Sequence, residues 1–234
     1  MLLPKSETTD MIVSIMQPYY VPYIGYWELI KKSDFFVLYD DAQFMKGGWI
    51  NRNKLEVTGV AKYITIPLKN QSPNKLINEI EMAVDFSKYM DQLFAKIKNY
   101  YYKAEYFDEL TKFISLSHDI DNPLFISKFL EYNISKTLEI LGIETPILKS
   151  SELTYDHDGT AEQKVKSICK IIGAHTYMNP IGGKHLYNKN HFNDDGLNLI
   201  FHESKLTYEF GHNSILDLIA NFGLKNIRDA LHEV

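Results

Sequence analysis

Continuous apolar runs separated by turn-rich loops dominate both ends of the chain, whereas the middle spaces its apolar residues at three- and four-residue intervals. The first pattern belongs to strands buried on both faces, the second to amphipathic helices. IVSIM, residues 12–16, reads as a short strand, the turn-rich QPYYVPYIG follows, and a helix is expected over about 23–32. FFVLY, residues 35–39, is the next strand and ends on Asp40 and Asp41. Strand, loop, helix, strand opens a parallel α/β unit. Ligands of such units sit at the carboxyl ends of the strands, where Gln17 and Asp40 fall.

KLEV, a turn at Gly59 and KYITIPL (62–68) predict further strands, with Pro67 ending the pairing, and another strand is expected over 77–83. Three helices follow. Asp85 caps one running to about 102, a second covers about 105–116, and Asn122 with Pro123 at the first helical position opens a third that Gly142 closes. The sheet pattern resumes with ETPILKSSEL, then a helix from Thr160 to Gly173 whose Gln163 completes a capping box, then the strand HTYMNP. After the loop IGGKHLY come a strand over 197–203 and a terminal helix over 214–222. The expectation is one mostly parallel α/β domain over 11–234, with a helical subregion inserted at about 85–141 and a loose extension over 1–10.

Composition sharpens this in two places. The 234 residues include 16 Tyr, and a phenol suits polar pockets as well as half-buried packing. Tyr19, Tyr20, Tyr23 and Tyr26 crowd into one loop, so a ligand pocket is expected there, while Tyr100, Tyr101 and Tyr102 fall at a helix end where packing explains them. The net charge of -5 and the lack of a basic block argue against nucleic acid as main partner, with an aminoacyl-tRNA donor left open. A lone Cys169 fits a reducing compartment and, on the apolar face of its helix, reads as a small hydrophobe. No apolar run is long enough to span a membrane, and the cytoplasm is the expected location.

Chemistry concentrates in four segments. QPYYVPYIGYWE brings Gln17, Tyr20, Tyr23 and Tyr26 to a strand end, beside Asp40, Asp41 and Gln43. FMKGGWINRNKL holds Lys46, Trp49, Asn51, Arg52 and Asn53, a donor cluster suited to phosphate or carboxylate. NPIGGKHLY offers Lys184 and Tyr187 in a Gly-Gly-Lys loop without P-loop spacing. HESKLTYEFGHNSILDLIANFG contains His202, His212 and Asp217 but reads as a helix start capped by Ser214. The histidines lack metal-binding spacing, and no metal is expected.

QPYYVPYIGYWELI, SDFFVLYDDAQFMKGGWINRNKL, YITIPL and SILDLIANFG resemble the WbqC-like proteins, encoded among genes for bacterial cell-surface polysaccharides such as O-antigen. The resemblance spans about 11–223 and implies a transferase of lipopolysaccharide biosynthesis that places an acyl or aminoacyl group on a nucleotide-linked amino sugar. The opening segment also looks like a Rossmann-like, HIGH-type nucleotidyltransferase start, in which Tyr23 and Tyr26 of PYIGY would stand at the histidine places. Positive charge for a phosphate would then come from Arg52, Lys46 or Lys184.

Under the leading reading Asp40 or Asp41 is the base toward an amine or a polar anchor, Arg52 with Asn51 and Asn53 grips a phosphate or carboxylate, and Gln17, Tyr20 and Tyr26 shape the pocket. Two other readings stay open. One is an adenylate-forming ligase using ATP with Mg²⁺, the other a non-catalytic module that binds sugar nucleotides.

Overall fold

The computed structural model describes residues 10–83, 86–121 and 123–234. The caps expected at Asp85 and Asn122 lie outside those residues, as does the extension apart from Asp10. In chain order, β1 (Ile12–Met16), α1 (Ile24–Lys31) and β2 (Phe35–Leu38) precede an antiparallel hairpin of β3 (Arg52–Val57) and β4 (Val60–Thr65). A small pair, β5 (Leu68–Lys69) and β6 (Glu81–Met82), leads to helices α2 (Phe86–Tyr101), α3 (Phe107–Ser117) and α4 (Ile126–Leu141). Then come β7 (Ile147–Lys149), α5 (Ala161–Ile172), β8 (Thr176–Pro180), α6 (Lys189–Asn193), β9 (Asn198–His202), α7 (Leu206–Phe210) and α8 (Ile215–His232).

Five strands form one all-parallel sheet in the order β7-β2-β1-β8-β9, as an α/β fold requires. The sheet grows one way from β1 and later the other way, so β1 and β8 meet where the direction of growth switches. Loops leaving adjacent strands at such a point diverge and leave a crevice at their carboxyl ends. Both sheet faces are covered, which is why β1 and β2 are apolar nearly throughout. Val13 and Ile15 pack with Val165, Ile168 and Cys169 of α5 on one face, while Phe36, Leu38 and Met178 join α1, α4 and α8 on the other. Burial pushes the Cys169 thiol up to about 12, leaving it inert as a nucleophile. Among the described residues no helix is long and apolar enough to cross a membrane.

Several elements depart from expectation for visible reasons. The strand expected over 77–83 is a 3-10 turn at Ile77–Glu79 followed by two strand residues, because Ile77 and Asn78 donate their amides to the Ala42 and Asp40 carbonyls. α4 starts at Ile126 rather than Pro123, since Leu124 and Phe125 pair with β6 before the chain turns helical. ETPILKSSEL keeps only three strand residues, as Ser150 and Ser151 turn to meet Asp40 and Asp41. IGGKHLY is a 3-10 turn, Ile181–Leu186, and a short α6 follows it. α8 does not end at Phe222. It breaks at Gly223, where φ is 78° and a Cβ would lie 2.6 Å from the Tyr106 ring, then resumes to bury Ile227 and Leu231. Glu109 accepts the Leu224 amide that the break frees.

Two buried carboxylates show how burial and hydrogen bonding compete to set a pKa. Glu28, inside the fully covered α1, is destabilised as an anion by burial but receives hydrogen bonds from His202 and Ser204, and the net effect holds its pKa below the ordinary range. Asp217, 2% exposed in the first turn of α8, accepts from the Tyr101 hydroxyl and the Glu56 amide, yet burial raises its pKa to about 6. A raised carboxyl stabilises the fold fully below its unfolded pKa, and that contribution is lost as pH climbs through the folded value. Asp217→Asn removes this term. The stability gap between variant and wild type should therefore shift in the variant's favour by about 1 kcal/mol from pH 5 to pH 7. Parallel denaturation profiles across that window would show that Asp217 titrates normally.

Candidate functional site

The segment leaving β1 is held in a conformation its sequence does not favour. Val21 has φ 43°, a left-handed backbone that a β-branched residue adopts only under constraint. Its carbonyl accepts from Asn53 Nδ2 at 2.8 Å and from Ser214 Oγ at 2.9 Å, and Asn53 Nδ2 also reaches the Tyr20 carbonyl at 2.9 Å. The Pro22 carbonyl accepts from the Ile215 amide and from Trp27 Nε1, each at 3.1 Å. Thus β3, the start of α8 and α1 all grip the same three residues. Gly25 completes the arrangement, because a Cβ there would lie 2.6 Å from the Tyr23 ring.

The loop into β3 is clamped by Arg52. Its Nε donates to the Gly48 carbonyl at 2.9 Å, its Nη2 donates to Gly47, and its guanidinium lies 5.7 Å from the Trp49 ring and 5.5 Å from Tyr63. Between the two loops lies a cavity of about 510 Å³ at the end of β1. Met16, Gln17, Tyr19 and Tyr23 form one wall, and Met45, Gly48, Trp49 and Ile50 form the other. Asn53 and Lys54 of β3 and His212 from the loop before α8 complete the lining. The His212 ring stacks on Tyr23 with centroids 5.5 Å apart and planes 18° from parallel. Burial raises the Tyr19 and Tyr23 phenols above their ordinary pKa, so both stay neutral near pH 7.

A family model for the WbqC-like protein family matches residues 17–229, which takes in every cavity residue except Met16. The chain belongs to the WbqC-like protein family. It is also similar to "Uncharacterized protein Rv1507c" of Mycobacterium tuberculosis (strain ATCC 25618 / H37Rv), 25% identical over 167 residues and covering 71% of each chain. No solved structure matches the chain.

In this WbqC-like chain the residues singled out from sequence divide sharply. Gln17, Tyr23, Trp49 and Asn53 line the cavity. Tyr20 and Tyr26 are core residues: the Tyr20 hydroxyl bonds His118 at 2.9 Å, and Tyr26 donates to the Gln17 carbonyl at 3.4 Å. A phenol at position 26 therefore has no access to a phosphate. Asn51 is buried and donates to the Ile66 carbonyl at 2.7 Å. Arg52 directs two of its N–H donors, on Nε and Nη2, at backbone carbonyls of its own loop.

Asp40 and Asp41 form a separate hydroxyl-rich cluster and do not line the cavity. Asp40 accepts from Ser151 N and Oγ at 3.0 and 2.7 Å, and Asp41 accepts from Ser150 Oγ and from Tyr155 at 2.7 Å. They tie the end of β2 to the turn after β7. Gln43 and Lys46 are exposed on the loop after β2, with Gln43 bridged to Leu76. Lys184 is exposed after β8, and the Tyr187 ring packs edge-on against Tyr177 at 5.5 Å. His212 was hidden by its setting, because Gly211, Asn213 and Ser214 around it read simply as a helix start.

Asn53→Asp places an acceptor against two carbonyls and should destabilise the fold by about 2 kcal/mol or more in chemical denaturation. Unchanged stability would mean that the Val21 conformation is held by other groups. Arg52→Ala should leave the fold intact, at a cost of about 1 kcal/mol, but raise acrylamide quenching of Trp49. Trp27, wholly buried, supplies the constant background. Quenching equal to wild type would show that Arg52 does not fix this wall.

Proposed function

We propose that this protein is a cytoplasmic transferase of cell-surface polysaccharide synthesis, moving an acyl group from a thioester donor to the amine of a nucleotide-linked amino sugar. The observation that carries the reading is the imidazole of His212, held by stacking on Tyr23 at a cavity on the carboxyl end of β1. Amide formation needs a group that removes a proton from the attacking amine. The phenols beside the cavity are held protonated, whereas imidazole is the side-chain type that exchanges protons near neutrality.

In this reaction the amine nitrogen bonds to the thioester carbonyl carbon as His212 takes its proton. The carbon–sulfur bond then breaks, and the sulfur leaves as a thiol carrying that proton. The Gln17 amide is the donor for the oxygen that bears negative charge in between, and Lys54 is the cation for the substrate's phosphates. In this reading Arg52 holds the loop that carries Trp49, and Asp40 and Asp41 tie the end of β2 to the turn after β7.

The test is N-acylation of nucleotide-linked amino sugars by acyl thioesters with the purified protein. His212→Ala should lower kcat by about 100-fold or more, with the KM for the sugar little changed. A wild-type rate in that variant removes His212 from the mechanism. No acylation by wild-type protein across the amino sugars tried rejects the transferase reading itself.

A further inference from the structure

The cavity offers a ligand much more apolar than polar surface. Six of its side chains, Met16, Tyr19, Tyr23, Met45, Trp49 and Ile50, present carbon and ring faces. Asn53 is polar by type only: its Nδ2 serves the Tyr20 and Val21 carbonyls and its Oδ1 accepts the Lys54 amide at 2.8 Å. The Tyr19 hydroxyl already accepts the Tyr23 amide at 3.3 Å. Gln17, Lys54 and His212 bring polar head groups, and the Tyr23 hydroxyl and Trp49 Nε1 add single polar atoms to otherwise apolar rings.

A pyranose suits such a space less well than an aliphatic chain does. Each of its hydroxyls, buried without a partner, costs about 1–3 kcal/mol, whereas each methylene buried there gains about 0.8 kcal/mol. An aminoacyl group suits it no better, because its ammonium would need a counter-charge. Among the described residues no Asp or Glu lines the cavity, and the formal cation that does, Lys54, repels it. The mouth points the same way. Met45 is 64% exposed and Trp49 47%, apolar surface left open to water beside a ready-made cavity. A thioether adapts its shape to a flexible aliphatic occupant.

We infer that the cavity between the QPYY loop and the Trp49 loop holds the acyl chain of the donor, and that this chain is a medium-length aliphatic group rather than acetyl or aminoacyl. The inference rests on the transferase reading for the word donor. The chain lies along Met16, Ile50 and Met45, its thioester sits near His212, and the amino sugar approaches from outside the cavity.

Binding tests it without turnover. Trp49 and Trp27 are the only tryptophans, and Trp27 is wholly buried, so ligand-induced change in tryptophan emission reports on the cavity mouth. Titration of the intact protein with acetyl-, hexanoyl- and decanoyl-coenzyme A should show hexanoyl binding about 100-fold more tightly than acetyl. Met45→Asp, at an exposed position where folding is undisturbed, should cut that ratio to about 10-fold or less. Equal affinity for acetyl and hexanoyl thioesters overturns the inference, as does a ratio unmoved by Met45→Asp. Free hexanoate binding as tightly as its thioester also overturns it, by placing a fatty acid there instead of an activated donor. Chain-length-dependent binding with no transfer to any amino sugar would sink the transferase reading and leave the acyl-chain site standing. Acetyl transfer without chain-length dependence would do the reverse.

Discussion

The left-handed backbone at Val21 is the constraint on which the rest of the site depends. A β-branched residue resists that conformation, so it persists only because Asn53 and Ser214 both donate to its carbonyl and hold it there. The turn it creates sends Tyr20 inward to His118 and brings Tyr23 over Gly25 to face the cavity. Without the twist, alternation along the segment would place different tyrosines in the core. The same clamp joins the three most distinctive stretches of the chain, which gives each of them a physical reason to hold its particular residues.

Around that clamp, polar groups fall into two kinds. One kind is spent on the protein itself: Asn51 and Asn53 on carbonyls, Arg52 on the loop before it, Asp40 and Asp41 on serine and tyrosine hydroxyls, Glu28 on His202 and Ser204. These groups stiffen loops at the carboxyl edge of the sheet, where backbone would otherwise be loose. The other kind is small. Gln17, Lys54 and His212 reach the cavity, and three groups of different chemistry against an apolar wall are what give a site orientation as well as affinity.

The fold was largely legible in the sequence because its signals are local. Continuous apolar runs gave β1 and β2, Thr160 with Gln163 and Gly173 bounded α5 to the residue, and Gly142 ended α4 with φ 71°. Failures occurred where a distant partner overrode a local signal, as when Asp40 and Asp41 bent Ser150 and Ser151 out of a strand, or when β6 claimed the residues before α4. The site was half legible. Crowded tyrosines marked the correct loop, but composition cannot say which phenol turns inward: Tyr19 and Tyr23 line the cavity while Tyr20 and Tyr26 do not. Arg52 reads as an anion grip because its type suits one, and only the geometry adds that its Nε and Nη2 bond the Gly48 and Gly47 carbonyls.

The bond from Ser214 to the Val21 carbonyl spans 193 residues of chain. During synthesis the first of these residues leaves the ribosome long before the last exists, and in the interval nothing from α8 is present to hold the turn. A chain that stops before residue 212 thus has Asn53 but not Ser214 on the Val21 carbonyl, and lacks His212 from the cavity lining. The lining of the cavity is therefore completed only after all five strands of the parallel sheet have been made.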